Sequence, residues 1–267
     1  MKINVEAIPN IPRINKGDNI GEIIALSAIK SNFEIQNGDI LCVASKAIST
    51  AEGQDIDLSN IKPSKLAKEI HQKIPRKDPR IIQKMIDETG DPTGNKLDIH
   101  IENRYIGAWL PNGMRLTSAG IDKIDSDHVM LLPQNPDLSA KKISEIVQQK
   151  LNAKVGVIIT DSDGRIEKLG ATQIAIGLYG VPALRVSETV DPVTGKIKKS
   201  EETFCDLLAA TAALVMGQRG TNKPVVKISG IDYTFNESSR ITDSLGMAPK
   251  EYRNCAVIKE TKPRSTE

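Results

Sequence analysis

Val157-Ile158-Ile159-Thr160-Asp161-Ser162-Asp163-Gly164-Arg165 is the stretch on which the reading turns. Its first half, with Val155 and Gly156, is a short continuous apolar run, the pattern of a strand covered on both faces. Its second half is a hydroxyl, an acid, a hydroxyl, an acid, a glycine and an arginine. A rigid strand that ends in such residues can present hard oxygen ligands, and Asp161 and Ser162 suit magnesium or manganese. Arg165 could pair with a phosphate or carboxylate through two parallel hydrogen bonds. The same residues also read as an ordinary polar turn with Gly164 at its corner, and the stretch alone leaves both readings open.

Outward from it, a second apolar run, Ile40-Leu41-Cys42-Val43-Ala44, follows the turn signal Asn37-Gly38-Asp39 and predicts another buried strand. Strands are expected also at 3–8, within 97–118, at 128–132 and at 224–228. Helical spacing recurs after Asp18-Asn19, after Pro63-Ser64, after Asp78-Pro79, from Asn135 to about residue 151, and near 200–216. Strands and helices alternate without a strict βαβ order, which predicts an α+β fold with a mixed β-sheet and helices rather than a barrel of repeated βα units. Lys46, just past the end of the second run, reads as an exposed lysine on a turn. Residues from 236 onward carry weak periodicity and read as a C-terminal extension of uncertain structure.

The chain has 267 residues, long enough to bury a core without disulfides. Aromatic residues are only 3%, so that core must be built from Ile, Leu, Val and Ala. No run approaches the roughly 20 apolar residues of a membrane span, and MKINVEAIPN reads as a strand rather than a secretory signal, so a cytoplasmic location is expected. Thirty-six basic and 34 acidic residues are interspersed, with no basic stripe to suggest nucleic-acid binding. Cys42, Cys205 and Cys255 form no close pair, and His71, His100 and His128 are isolated, which argues against a zinc site.

Common phosphate motifs are absent: Thr194-Gly195-Lys196 is followed by Ile197 where a P-loop needs a hydroxyl. The ordered set of short motifs is more informative. It runs through Ile11-Pro12-Arg13-Ile14, Gly17-Asp18, Ala44-Ser45-Lys46, Ala51-Glu52-Gly53, Pro63-Ser64, Lys77-Asp78-Pro79-Arg80 and Ala119-Gly120-Ile121-Asp122. It continues with Leu131 to Asp137, Asp161 to Arg165, Ala175-Ile176-Gly177 and Met216-Gly217-Gln218. In order and spacing this resembles the coenzyme F-420 γ-glutamyl ligase family, over a ligase-like domain at residues 1–235.

The resemblance implies an enzyme that uses GTP to join L-glutamate to a carboxylate of the deazaflavin coenzyme precursor through an acyl phosphate, releasing GDP and phosphate. It implies GTP contacts from Ile11, Pro12, Arg13, Ile14, Ser45, Lys46, Asp125 and the loop carrying Gly217, Gln218, Arg219, Gly220 and Lys223. Magnesium or manganese at two sites would be held by Asp122, Asp161, Ser162 and Gln218, with potassium as a further cation. Arg165 is the candidate for stabilising a bound or transferred anion. An intertwined homodimer is implied as well. The chain departs from the family pattern at Thr50, where a lysine is expected, at Asp125, where an asparagine is expected, and at Leu207, where an acid is expected. Two alternatives follow from these departures: the same scaffold acting on a different acid and amine, or a non-catalytic paralogue.

Overall fold

A computed structural model of the chain describes residues 2–218 and 220–246. In chain order the elements begin with β1 (Asn4–Ala7), α1 (Ile20–Lys30), β2 (Ile40–Ala44), α2 (Ser45–Glu52) and β3 (Asp55–Asp57). Then come α3 (Lys65–Lys73), α4 (Pro79–Glu88), β4 (Leu97–His100), β5 (Tyr105–Trp109), β6 (Arg115–Thr117), β7 (Asp122–Lys123) and β8 (His128–Met130). The rest are α5 (Pro136–Leu151), β9 (Gly156–Gly164), β10 (Ala171–Tyr179), β11 (Arg185–Val190), β12 (Ile197–Glu202), α6 (Phe204–Met216) and β13 (Val225–Ser229). The chain forms two compact units. Among the described residues, the first comprises 2–53, Pro133–Ser162 and Thr172–Ser244, and the second Gln54–Leu132, Asp163–Ala171 and 245–246.

The first unit is built on a five-stranded sheet in the order β1-β13-β2-β9-β10. β13 runs antiparallel to both β1 and β2, whereas β2 and β9 are parallel, so the sheet is mixed as expected. The two apolar runs are its neighbouring central strands, and Ile40, Leu41, Val43, Ile158 and Ile159 have no exposed surface. α1 starts where Asn19 accepts a hydrogen bond from the Glu22 amide, and α5 where Asn135 accepts from Leu138, with Pro136 in the first turn. The two helices pack so closely that a Cβ on Gly21 would lie 2.8 Å from Cβ of Ile146.

The second unit holds two three-stranded sheets, β4-β5-β6 and β3-β8-β7, with α3 and α4. Its core joins Ile70 and Ile74 from the α3 region, Ile82 and Met85 from α4, Ile106 from β5 and Val129 from β8. Ser64 and Asp78 cap the two helices, as their Pro-Ser and Asp-Pro signals predict.

Three expectations are corrected. The central strand does not stop near Ile159 but continues through Asp161 to Gly164, because its polar end is still paired. In the second unit Thr117 N–H donates to Asp163 Oδ1 at 2.8 Å, and Thr117 Oγ1 donates to the Gly164 carbonyl at 2.8 Å. Lys46 lies in the first turn of α2 rather than on a turn, since Lys46, Ala47, Ala51 and Glu52 are good helix formers and Gly53 ends the helix in the left-handed region (φ 69°). The helix expected from residue 200 starts at Phe204. Residues before it form the β11–β12 hairpin, whose mixture of lysine, glutamate and isolated valines gave no clear period. Every residue of that hairpin's two strands is exposed. The described residues form an α+β fold, and among them no helix is long and apolar enough to cross a membrane. Of the C-terminal extension, Asn236 bridges Gly180 and Ile241–Ser244 forms a short 3-10 turn.

Candidate functional site

The strand order of the first unit gathers four of the predicted segments at one end of its sheet. Val225, the first residue of β13, pairs with Val43, the penultimate residue of β2. Ala44, the last residue of β2, pairs with Thr160 in the parallel strand β9. β1 ends there too, with the Ile8 amide donating to the Val225 carbonyl. The segment Ile11 to Ile14, the start of α2 at Ser45 and Lys46, the residues Asp161 and Ser162, and Lys223 just before β13 therefore all leave the same edge.

Ser45 is buried and donates from its hydroxyl to Asp161 Oδ1 at 2.8 Å, which fixes the carboxylate's rotamer. Thr160, also buried, lies against the end of α6 through a 3.8 Å contact from its hydroxyl to the Met216 sulfur, so the Gly217 loop begins at this edge. Gly217 leaves α6 with φ 68°, and the Thr221 hydroxyl donates to the Met216 carbonyl, folding the loop back on the helix end. Gln218, Gly220 and Lys223 are exposed, as are Pro12, Arg13 and Lys46, while Ile11 and Ile14 are half-buried. Arg219 lies outside the described residues. Ala44 donates its amide to the Pro224 carbonyl at 2.9 Å, locking the base of the loop to the end of β2.

The remaining candidates belong to the second unit. Asp122 opens β7 opposite Met130 and is exposed. Asp125 caps the turn between β7 and β8: its Oδ1 accepts from the Asp127 and His128 amides at 2.8 Å each, and the His128 ring lies 3.0 Å away. These backbone and imidazole donors hold the Asp125 carboxyl below its ordinary range, and the carboxylate in turn raises His128. Arg165 follows the end of β9 with an exposed side chain that makes no ion pair among the described residues.

The candidate metal ligands offer only oxygen donors. Among the described residues, no three His, Cys, Asp or Glu side chains cluster into a metal site made by the protein alone. That donor set fits magnesium or manganese, which keep water and take substrate phosphate oxygens beside one or two carboxylates, and does not fit zinc. Cys42 and Cys205 are buried, and burial pushes the Cys205 thiol up to about 12, while Cys255 lies outside the described residues. Ser45's role in holding Asp161 was not legible as such, since a 116-residue separation links the two.

Residues 9–230 match the F420-0:Gamma-glutamyl ligase family, and the chain belongs to it. Among its relatives is the coenzyme F420:L-glutamate ligase of Methanosarcina mazei, 32% identical over 247 residues, which cover 91% of this chain and 92% of that one. The protein of the same description from Methanocaldococcus jannaschii is 36% identical over 217 residues, 80% of this chain and 84% of that one. That from Methanopyrus kandleri is 32% identical over 232 residues, 86% and 87% of the two chains.

Proposed function

We propose that this chain is a ligase that forms an amide between L-glutamate and a carboxylate of a deazaflavin coenzyme F420 precursor, with GTP as the phosphoryl donor. The observation that carries the reading is the gathering of Ile11 to Ile14, Ser45-Lys46, Asp161-Ser162 and the Gly217 to Lys223 loop at one end of a rigid sheet. These are the segments the family resemblance assigns to nucleotide and metal. An acceptor carboxylate oxygen attacks the terminal phosphorus, the bond to GDP breaks, and an acyl phosphate results. The glutamate amine then attacks the acyl carbon, loses a proton, and expels inorganic phosphate.

Each group has work to do in that sequence. Lys46 and Lys223, exposed at the sheet end, would meet the triphosphate, and Gly217 and Gly220 let the loop's backbone approach it. Arg13 and Gln218 would bond the nucleotide, and Asp125 a base or ribose edge. Asp161, Ser162, Asp122 and Gln218 would hold magnesium or manganese, whose chemistry is to neutralise phosphate charge. Arg165, exposed and without an ion pair among the described residues, is available to stabilise an anion. Potassium would serve as an auxiliary cation. The exposed apolar residues of the β11–β12 arm support a homodimer as the working form.

The test is incubation of the full chain with GTP, manganese, L-glutamate and deazaflavin acceptor. Equal amounts of GDP, phosphate and glutamylated product are expected, and absence of all three from folded protein would sink the proposal. A second reading, the same chemistry on another acid, is favoured by Thr50: its hydroxyl donates back to the Lys46 carbonyl at 2.7 Å, leaving no phosphate partner where the family has lysine. A panel of alternative acids read by phosphate release separates the two.

A further inference from the structure

Lys77 lies in the turn between α3 and α4, and its backbone is fixed on both sides. Its amide donates to the Ile74 carbonyl at 3.0 Å, and its carbonyl accepts from Nδ1 of His71 at 2.7 Å. The next residue, Asp78, is the cap of α4. The ammonium is therefore presented from a rigid base. Its one hydrogen-bond partner among the described residues is Oγ of Ser118, at 2.5 Å. No carboxylate comes within ion-pair distance of it in the described structure. Asp78, the next residue in the chain, is paired with Arg80, as is Asp127. The charge closest in influence is another cation, Arg76, and burial and Arg76 together lower the lysine's proton affinity.

Ser118 is 7% exposed, and its hydroxyl accepts from Lys77 without donating to any described group. It begins a turn in which Ser118, Ala119 and Gly120 all have positive φ, of 55°, 57° and 70°. For the two non-glycine residues that conformation costs on the order of 1 kcal/mol each. A partly buried cation without a counter-charge is also unfavourable to folding. The fold thus holds two costly features against each other. What they have in common is donors unused among the described residues: two ammonium hydrogens and one hydroxyl hydrogen, carried side by side on fixed backbone.

We propose that Lys77 and Ser118 form a receptor for a substrate oxyanion, a carboxylate or a phosphate group, that supplies the missing counter-charge. The pair is a binding and positioning device rather than a group that reacts. As a role in turnover it rests on the ligase reading, but the binding itself does not.

The full chain is titrated calorimetrically at low salt with L-glutamate and, separately, with inorganic phosphate. Saturable binding of at least one is expected, weakened about tenfold in Lys77→Met and largely restored in Lys77→Arg, with the melting temperature of each variant recorded. The arm that loses affinity identifies the anion. A wild-type chain that binds neither, or a folded Lys77→Met that binds as wild type does, overturns the proposal. If Lys77→Met does not fold, Ser118→Ala is read in its place, and unchanged affinity there overturns it equally. Oxyanion binding through Lys77 in a chain with no ligase activity would sink the ligase reading alone. Ligase turnover with KM values for every substrate unchanged in Lys77→Met would sink the receptor alone.

Discussion

At the scale of single residues, the bond from Ser45 to Asp161 is the contact that joins the two motifs to which the proposed function gives nucleotide and metal. A hydroxyl that fixes a ligand carboxylate typically changes metal affinity by about 10- to 100-fold when removed. Ser45→Ala is therefore expected to weaken manganese binding by a factor in that range, and Asp161→Ala to weaken it further. Calorimetric titration of manganese reads both, and wild-type affinity in Asp161→Ala would remove that residue from the metal site. Asp125 and His128 give a second residue-scale expectation. The raised His128 contributes to the turn while protonated, so its contribution is full below the ordinary value of 6.5 and lost as pH rises through the higher folded value. The lowered Asp125 contributes above 3.8 and is lost as pH falls through its depressed value. The pair is thus strongest between those limits. Asp125→Asn should bring the His128 titration, followed by NMR, back toward its ordinary midpoint; no movement would mean the carboxylate is not its cause.

At the scale of elements, the helix caps and apolar runs were legible because each signal is local. Asn19, Ser64, Asp78 and Asn135 all cap helices where their sequence context predicts. The exposed hairpin was not legible, since burial is what imposes a period on a strand and β11 and β12 have none. Site residues followed the same rule. That Asp161 is carried by a rigid strand could be read from the apolar run before it, whereas its hydroxyl partner and the Lys77–Ser118 pair depend on contacts across long sequence separations. Ala175-Ile176-Gly177, noticed as a motif, has a packing explanation. A Cβ on Gly177 would lie 2.3 Å from Cβ of Pro136 and 2.5 Å from its carbonyl carbon, so only glycine lets the start of α5 meet β10. Asp137 completes that junction by accepting the Leu178 amide at 2.7 Å. Gly177→Ala is expected to destabilise by about 1–3 kcal/mol, measured by urea denaturation. A change under a few tenths would show that α5 can shift freely.

At the scale of the whole molecule, the arm is the feature that a lone subunit does not explain. Val190 and Ile197 face each other across its ladder and are 67% and 62% exposed, and Val193 at the tip is 90% exposed. Exposed apolar side chains grouped in this way are the kind of surface that a subunit interface covers. The wild-type chain is expected to run as a dimer in light scattering, and Val190→Glu with Ile197→Glu as a monomer. An unchanged mass would take the arm out of the interface. The arm's own turn rests on Asp191, which accepts from Val193 and Thr194 and pairs with Lys198 at 2.7 Å, holding its carboxyl down to about 2.

The order of the strands also bears on how the chain comes off the ribosome. β1 is made long before its partner β13, so the large sheet cannot close until residue 229 has emerged. The Leu58-to-Val129 core, by contrast, is drawn entirely from one uninterrupted stretch. Vectorial synthesis therefore lets the inserted unit collapse on its own contacts while the flanking strands wait, leaving β1 and β2 as unmatched edges for most of translation.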